Sequence, residues 1–415
     1  MLNVTRLLQL EERARSSGGP AGAARPGVAP PPAVVVWNTT RQCPLRCRHC
    51  YAAAAAQPAP DELTTGEGRA LIADLARSGV RSLVLSGGEP LLRSDLLDLA
   101  RAAAAAGLRV ALSTGGTLLD AATARALAAA GVEYVGVSID GIGPRHDRIR
   151  GVTGGFGLAL SGLRHARDIG LRTGLRFTLT RTTLPDLEAV LDLMEAERAD
   201  RGYVSHLVHV GRARRLSGEA LSRHEARDAV ETVFARAAAW RGRGFPGELV
   251  TGNNDADGVA LWLRVRRHDV AAAARVRRRL VARGGNATGV AIASVDSRGD
   301  VHPDQFWPHA ILGSVRERPF GAIWGDPGQP LLAALRDRRG RVGGRCAGCA
   351  HFALCGGGSR VRAEALTGDL WAADPGCHLT DAEIGVTSGR TGDEIEDGGV
   401  RADDAAPREC APAGP

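Results

Sequence analysis

A chain of 415 residues, 44% hydrophobic and 24% charged, is long enough for one large domain, or a large domain with a smaller appendage, around a substantial core. Its 53 basic residues are all arginine and outweigh 46 acidic ones, but aromatic residues at 4% are too sparse to stack nucleic-acid bases. No apolar run approaches a membrane span, and residues 1–15 lack the apolar stretch of a signal peptide, so a cytoplasmic protein with no membrane and no nucleic-acid partner is expected.

Residues 1–32 read as a flexible lead-in, rich in Gly, Ala and Pro from Ser16 onward. Val34 to Trp37 is a short apolar run, a first strand that stops just before a group of cysteines. Helix-like segments at 61–79, 94–106, 120–130, 156–169 and 184–197 then alternate with strand-like segments at 81–86, 108–113, 134–139, 171–179 and 203–208. Six βα units over 33–215 predict an α/β fold with parallel strands, either doubly wound or an incomplete barrel. In both, function belongs at the carboxyl ends of the strands. Residues 216–288 read as a helical connecting region, with helices at 220–241 and 270–283. From 289 to 384 the chain is Gly-rich, short-stranded and cysteine-bearing, like a small metal-stapled module, and 385–415 is acidic and apolar-poor, a disordered tail holding Cys410.

Eight cysteines without a secretion signal argue against a disulfide framework. Cys43, Cys47 and Cys50 form C-x3-C-x2-C on the loop after the first strand. A short loop can wrap three thiolates around one 4Fe-4S cubane and leave its fourth iron open. That iron can chelate the amino and carboxylate groups of S-adenosylmethionine (SAM) and pass an electron to its sulfonium. Zinc is the rival, but it wants a fourth ligand, for which His49 is the nearest candidate. Gly87, Gly88 and Glu89 follow the second strand, where bare backbone and a carboxylate suit an ammonium group. Ser113 after the third strand and Ser138 with Asp140 after the fourth offer hydroxyls and a carboxylate to a ribose or carboxylate.

Cys346, Cys349, Cys355 and Cys377 give C-x2-C-x5-C and a distant fourth thiolate. Four sulfurs satisfy a second 4Fe-4S cluster fully, so it would carry electrons or stand near substrate, with structural zinc as the alternative.

The combination resembles the radical SAM superfamily, whose fold is a partial (βα)6 barrel, and the second cysteine set resembles its SPASM type of extension. A full SPASM module has a further upstream cysteine. Here Gly299, Val301, His302 and Pro303 are followed by Asp304, so the resemblance implies one auxiliary cluster, two clusters in all. Over about 34–385 the chain is similar to the NirJ family of heme d1 biosynthesis. The segments that carry this are 35–43 around Trp37, 137–141, 175–180, 205–207, Gly211 with Arg212, 251–258, 302–304 with Trp307, and 315–320.

That resemblance implies a tetrapyrrole substrate, didecarboxysiroheme, whose remaining propionates are removed on the way to the oxo groups of heme d1. It also implies a reducing electron donor such as flavodoxin or ferredoxin. Arg212, Arg316 and Arg318 are candidates for pairing carboxylates. His206 and His209 could contact iron or move protons, but three residues apart on a strand only one should face the substrate. Asn253, Asn254, Asp255 and Asp257 either grip a ligand or build turns. The rival activities are a heme synthase-like decarboxylation of iron coproporphyrin, peptide modification, and a non-catalytic iron–sulfur carrier.

Overall fold

A computed structural model describes residues 1–9 and 30–386. The expected disorder of the tail and of most of the lead-in falls on 10–29 and 387–415, outside the described residues. Residues 1–9, inside the expected flexible lead-in, instead form strand β1 (Leu2–Asn3) and helix α1 (Val4–Leu8).

The alternation then runs β2 (Val34–Thr40), α2 (Thr65–Arg77), β3 (Ser82–Gly87), α3 (Leu96–Ala105), β4 (Arg109–Thr114), α4 (Ala121–Ala129), β5 (Val132–Ser138), α5 (Pro144–Arg150), α6 (Gly155–Asp168), β6 (Arg172–Leu179), α7 (Leu187–Ala196) and β7 (Arg201–His206). Local chemistry sets these boundaries. Thr64 and Glu67 form a capping box that starts α2. In α3, Leu96, Leu99, Ala100 and Ala103 recur at helical spacing and are buried against the sheet.

After α8 (Arg223–Gly242) comes β8 (Glu248–Gly252), then α9 (Ala256–Arg266) and α10 (Val270–Arg283). The strand β8 lies in the region expected to be wholly helical, and it pairs in parallel with β7. Three short strands follow, β9 (Ile292–Val295), β10 (Asp300–His302) and β11 (Gly313–Ser314), with small helices α11 (Phe320–Trp324), α12 (Pro330–Arg336), α13 (Phe352–Cys355), α14 (Arg360–Thr367) and α15 (Asp381–Ile384).

Among the described residues, eleven strands make one sheet in the order β1-β8-β7-β6-β5-β4-β3-β2-β9-β10-β11. Strands β2 through β8 run parallel as a partial barrel, and β9 adds a parallel strand on the far side of β2. The region from 289 onward is thus joined to the barrel by main-chain hydrogen bonds. Strand alternation sorts the side chains. Val35, Trp37, Leu83, Leu85, Val110, Leu112, Val135, Val137, Leu175 and Phe177 are buried in the shared core. The alternate positions Val36, Val84, Ser86, Ser113, Ser138, Arg176, Thr178, Tyr203, Ser205 and Thr251 line a central cavity. No helix of the described residues is long and apolar enough to cross a membrane.

Candidate active site

The cavity holds about 1750 Å³ of empty space, part of it open to solvent. The loop carrying Cys43, Cys47 and Cys50 forms one wall. It is fixed by its backbone: Cys43 N–H donates to Ala55 O (2.8 Å), Arg48 N–H to Ile149 O (2.9 Å) and Glu89 N–H to Gln42 O (2.7 Å). Arg212 clamps it, donating through Nε to Cys47 O and through Nη1 to Ala54 O, both at 2.7 Å. Gly88 stands so close that an added Cβ would lie 2.2 Å from Gln42 O, so only glycine lets the two loops meet.

Gly87, Gly88, Glu89, Ser113 and Ser138 all line the cavity. Glu89 is fully buried and already engaged: it accepts from Thr114 Oγ1 (2.8 and 2.9 Å), Gly115 N–H (2.8 Å) and Leu91 N–H (3.2 Å). Burial pushes its carboxyl above the usual range, and these donors oppose the rise. It locks the loop after β4 to the loop after β3, a positioning duty beyond the ammonium contact expected of it. Ser113 Oγ accepts from Arg176, whose guanidinium lies over the Tyr203 ring at 5.5 Å.

Asp140 departs from its expected ribose contact. It is fully buried, accepts from Thr178 N–H (2.9 Å), and pairs with Arg150 and with His49 Nε2 (3.1 Å). Burial opposes its ionisation, but Arg150 and His49 hold the carboxyl well below the usual range. Its partners face the cavity instead: Arg150 and His49 line it, and Arg150 Nη1 donates to Cys47 Sγ (3.5 Å). The pairing holds His49, the candidate fourth ligand of a zinc site, through its Nε2.

The other candidates divide. His206 lines the cavity, whereas His209, three residues past the end of β7, faces a second cavity beside His309 and Glu364. Asn253, Asn254 and Asp255 line the cavity, and Asp257 is buried behind them. Arg316 and Arg318 lie outside it, paired with Glu67 (2.8 Å) and Asp326 (2.9 Å). His302 is packed away, its Nδ1 on Ala310 O (3.1 Å), while Asp304 lines the cavity with both oxygens engaged by Thr288 and Phe306.

Residues 37–194 match the Radical SAM superfamily. The chain is 46% identical over 361 residues to a pre-heme d1 synthase of Dinoroseobacter shibae, covering 86% of this chain and 89% of that protein. The chain belongs to the radical SAM superfamily. It is also 44% identical over 355 residues to an Fe-coproporphyrin III synthase of Methanosarcina barkeri, covering 85% and 89%. The fold matches that of Streptococcus suis SuiB bound to S-adenosylmethionine, with a TM-score of 0.66 at 17% identity over 84% of this chain and 78% of the other. The protein is therefore a radical SAM enzyme, and its family implies a 4Fe-4S cluster and SAM.

The first cysteine loop fits such a cluster. All three cysteines are free and line the cavity, and burial pushes the Cys43 thiol up to about 12. A thiolate there needs a nearby cation, which bound iron supplies. Cys346, Cys349, Cys355 and Cys377 are free and partly buried, and each feels the charge of at least one of the others. Gly356, Gly357 and Gly358 after Cys355 all take left-handed backbone (φ 63°, 80° and 72°), which turns the chain sharply away from that thiol. Among the described residues, no three His, Cys, Asp or Glu side chains close in as ligands of a single ion would.

Arg150 and Asp140 also shape stability. His146 accepts the Asp140 N–H at Nδ1 (3.1 Å), and burial, with Arg150 nearby, depresses its imidazole to about 4 from an ordinary 6.5. A histidine depressed on folding contributes stability that is whole above 6.5 and is lost as pH falls toward 4. The protein should lose up to about 3 kcal/mol across that window. His146→Gln should flatten the pH dependence of the unfolding midpoint, and an unchanged slope would remove His146 as its source.

Proposed function

We propose that Cys43, Cys47 and Cys50 hold the 4Fe-4S cluster that binds SAM, and that the substrate is didecarboxysiroheme, whose propionates are removed on the way to heme d1. The observation that carries this is the 46% identity to a pre-heme d1 synthase, spread over most of both chains, together with a cavity lined by Cys43, Cys47, Cys50, Arg176 and Arg212. When bound, cluster and SAM supply a 5′-deoxyadenosyl radical able to take a hydrogen from a propionate chain.

The protein's share is binding and orientation. Gly87 and Gly88 bring bare backbone to the cavity wall, and Ser113 and Ser138 present hydroxyls there. Arg176 and Arg212 line the same space, and their hydrogen bonds go to a hydroxyl and to carbonyls, which leaves their charge for carboxylates of SAM and substrate. Cys346, Cys349, Cys355 and Cys377 hold a second 4Fe-4S cluster in this reading, and a donor of the flavodoxin or ferredoxin kind supplies electrons. The 44% identity to an Fe-coproporphyrin III synthase favours a second reading, a radical SAM enzyme forming iron coproporphyrin III.

The test is anaerobic: reconstituted protein, SAM, a strong reductant and didecarboxysiroheme, followed by mass spectrometry of nucleoside and tetrapyrrole. Formation of 5′-deoxyadenosine with loss of propionate-derived mass is expected. Iron coproporphyrin III among the products would favour the second reading. Deoxyadenosine with an unchanged tetrapyrrole would overturn both substrate assignments, and fully loaded protein that leaves SAM intact would overturn the proposed cluster site.

A further inference from the structure

The buried carboxylate of Asp257 is shared by two imidazoles. His206 Nε2 lies 3.2 Å from it and His378 Nε2 3.0 Å, and both histidines and Asp257 are almost wholly withdrawn from solvent. Burial disfavours the charge on Asp257, yet the two imidazoles hold its carboxyl well below the usual range. An ionised carboxylate only accepts, so each ring donates to it through Nε2, and the lone pair of a neutral ring is then on Nδ1. For His378 that Nδ1 is buried without a partner. For His206, at the end of β7, the ring lines the cavity, and among the described residues its Nδ1 has no hydrogen-bond partner.

A carboxylate behind one ring nitrogen, with the other bare toward a cavity, is how proteins orient a histidine that binds metal. The brace is stiff. Asn253 donates to His206 O (3.3 Å), and Asn254 donates to Gly376 O (2.7 Å) beside the Cys377 turn. Among the described residues no three His, Cys, Asp or Glu side chains gather there as the ligands of a single ion would, so an incoming metal must bring its own equatorial ligands. An iron tetrapyrrole does so and leaves an axial position open.

We propose that His206 Nδ1 is the axial ligand of the iron at the centre of the tetrapyrrole substrate, with Asp257 as the positioning residue behind it. This rests on the tetrapyrrole reading above. The axial bond sets the macrocycle's height and tilt in the cavity, and so decides which edge is presented to the cysteine loop.

The test uses the holoenzyme with its clusters in the diamagnetic oxidised state, labelled with ¹⁵N-histidine and given ferric didecarboxysiroheme. Pulsed electron paramagnetic resonance should detect one imidazole nitrogen coupled to the ferric iron. His206→Ala should abolish that coupling and weaken ferric binding about tenfold or more, with added imidazole restoring the ligand. Asp257→Asn, which keeps the shape, should weaken ferric binding about 10–100-fold. Metal-free didecarboxysirohydrochlorin should bind the wild type and His206→Ala alike. If wild type shows no imidazole coupling although both tetrapyrroles bind, the axial assignment fails and the substrate reading survives. If neither tetrapyrrole binds, both fail.

Discussion

Replacing Cys43, Cys47 and Cys50 together with alanine is expected to abolish 5′-deoxyadenosine formation and leave about half the iron of the reconstituted wild type. The fold should survive, because what holds the loop is not sulfur. Its backbone is paired to Ala55, Ile149 and Glu89, and Arg212 grips two of its carbonyls. The complementary variant, with Cys346, Cys349, Cys355 and Cys377 all replaced, should lose the other half of the iron. Iron assay, elemental zinc analysis and an anaerobic SAM-cleavage assay together read the outcome. Iron unchanged in the first variant would sink the assignment of that loop, and zinc in place of iron in the second set would make it a structural staple.

The second large effect is expected where no cysteine is touched. Arg362 and Asp374 are both buried and joined by two bonds, Nε to Oδ1 at 2.8 Å and Nη2 to Oδ2 at 2.9 Å. The same carboxylate accepts Ser359 N–H (2.7 Å) and Gly376 N–H (3.0 Å), so it ties the start of α14 to the turn presenting Cys377. Arg362→Met leaves Asp374 charged, buried and without its cation, which costs about 3–5 kcal/mol. The thermal midpoint should fall, and the iron of the second site should be lost ahead of the first. Arg362→Met with Asp374→Asn should recover much of the stability, because a buried pair removed whole costs far less than one broken. Equal losses in the single and double variants would show that the pair does not act through its charge.

The central βα units were legible because each strand is apolar and each helix carries a stripe at its own period, as Leu96, Leu99, Ala100 and Ala103 do in α3. β8 was not: five residues, Glu248 to Gly252, running into Asn253 and Asn254, look locally like a loop. What makes them a strand is the edge of β7 beside them. The region after 289 reads only as short-stranded, and nothing in it marks β9 as a neighbour of β2, since no local pattern encodes a pairing so distant in sequence. The site shows the same split. Cysteine spacing is a strong local signal, and it marked both clusters of thiols. A carboxylate at a strand end reads alike whether free or paired, so Asp140 passed for a ligand contact until Arg150 and His49 were seen on it. Arg150 and Arg176 went unnoticed among 53 arginines, which give one member no distinction until the fold brings it to the cavity.

The order of strands in the sheet has a consequence for how this chain is made. Leu2 pairs with Thr251, and Val34 pairs with Ile292, so β1 and β2 leave the ribosome long before these neighbours. Until residues beyond 290 emerge, β2 shows one bare edge, and such edges invite pairing with other chains. Nascent chains and shortened versions ending near 289 should therefore lean on chaperones and aggregate readily, while the finished protein has that edge of β2 covered by β9.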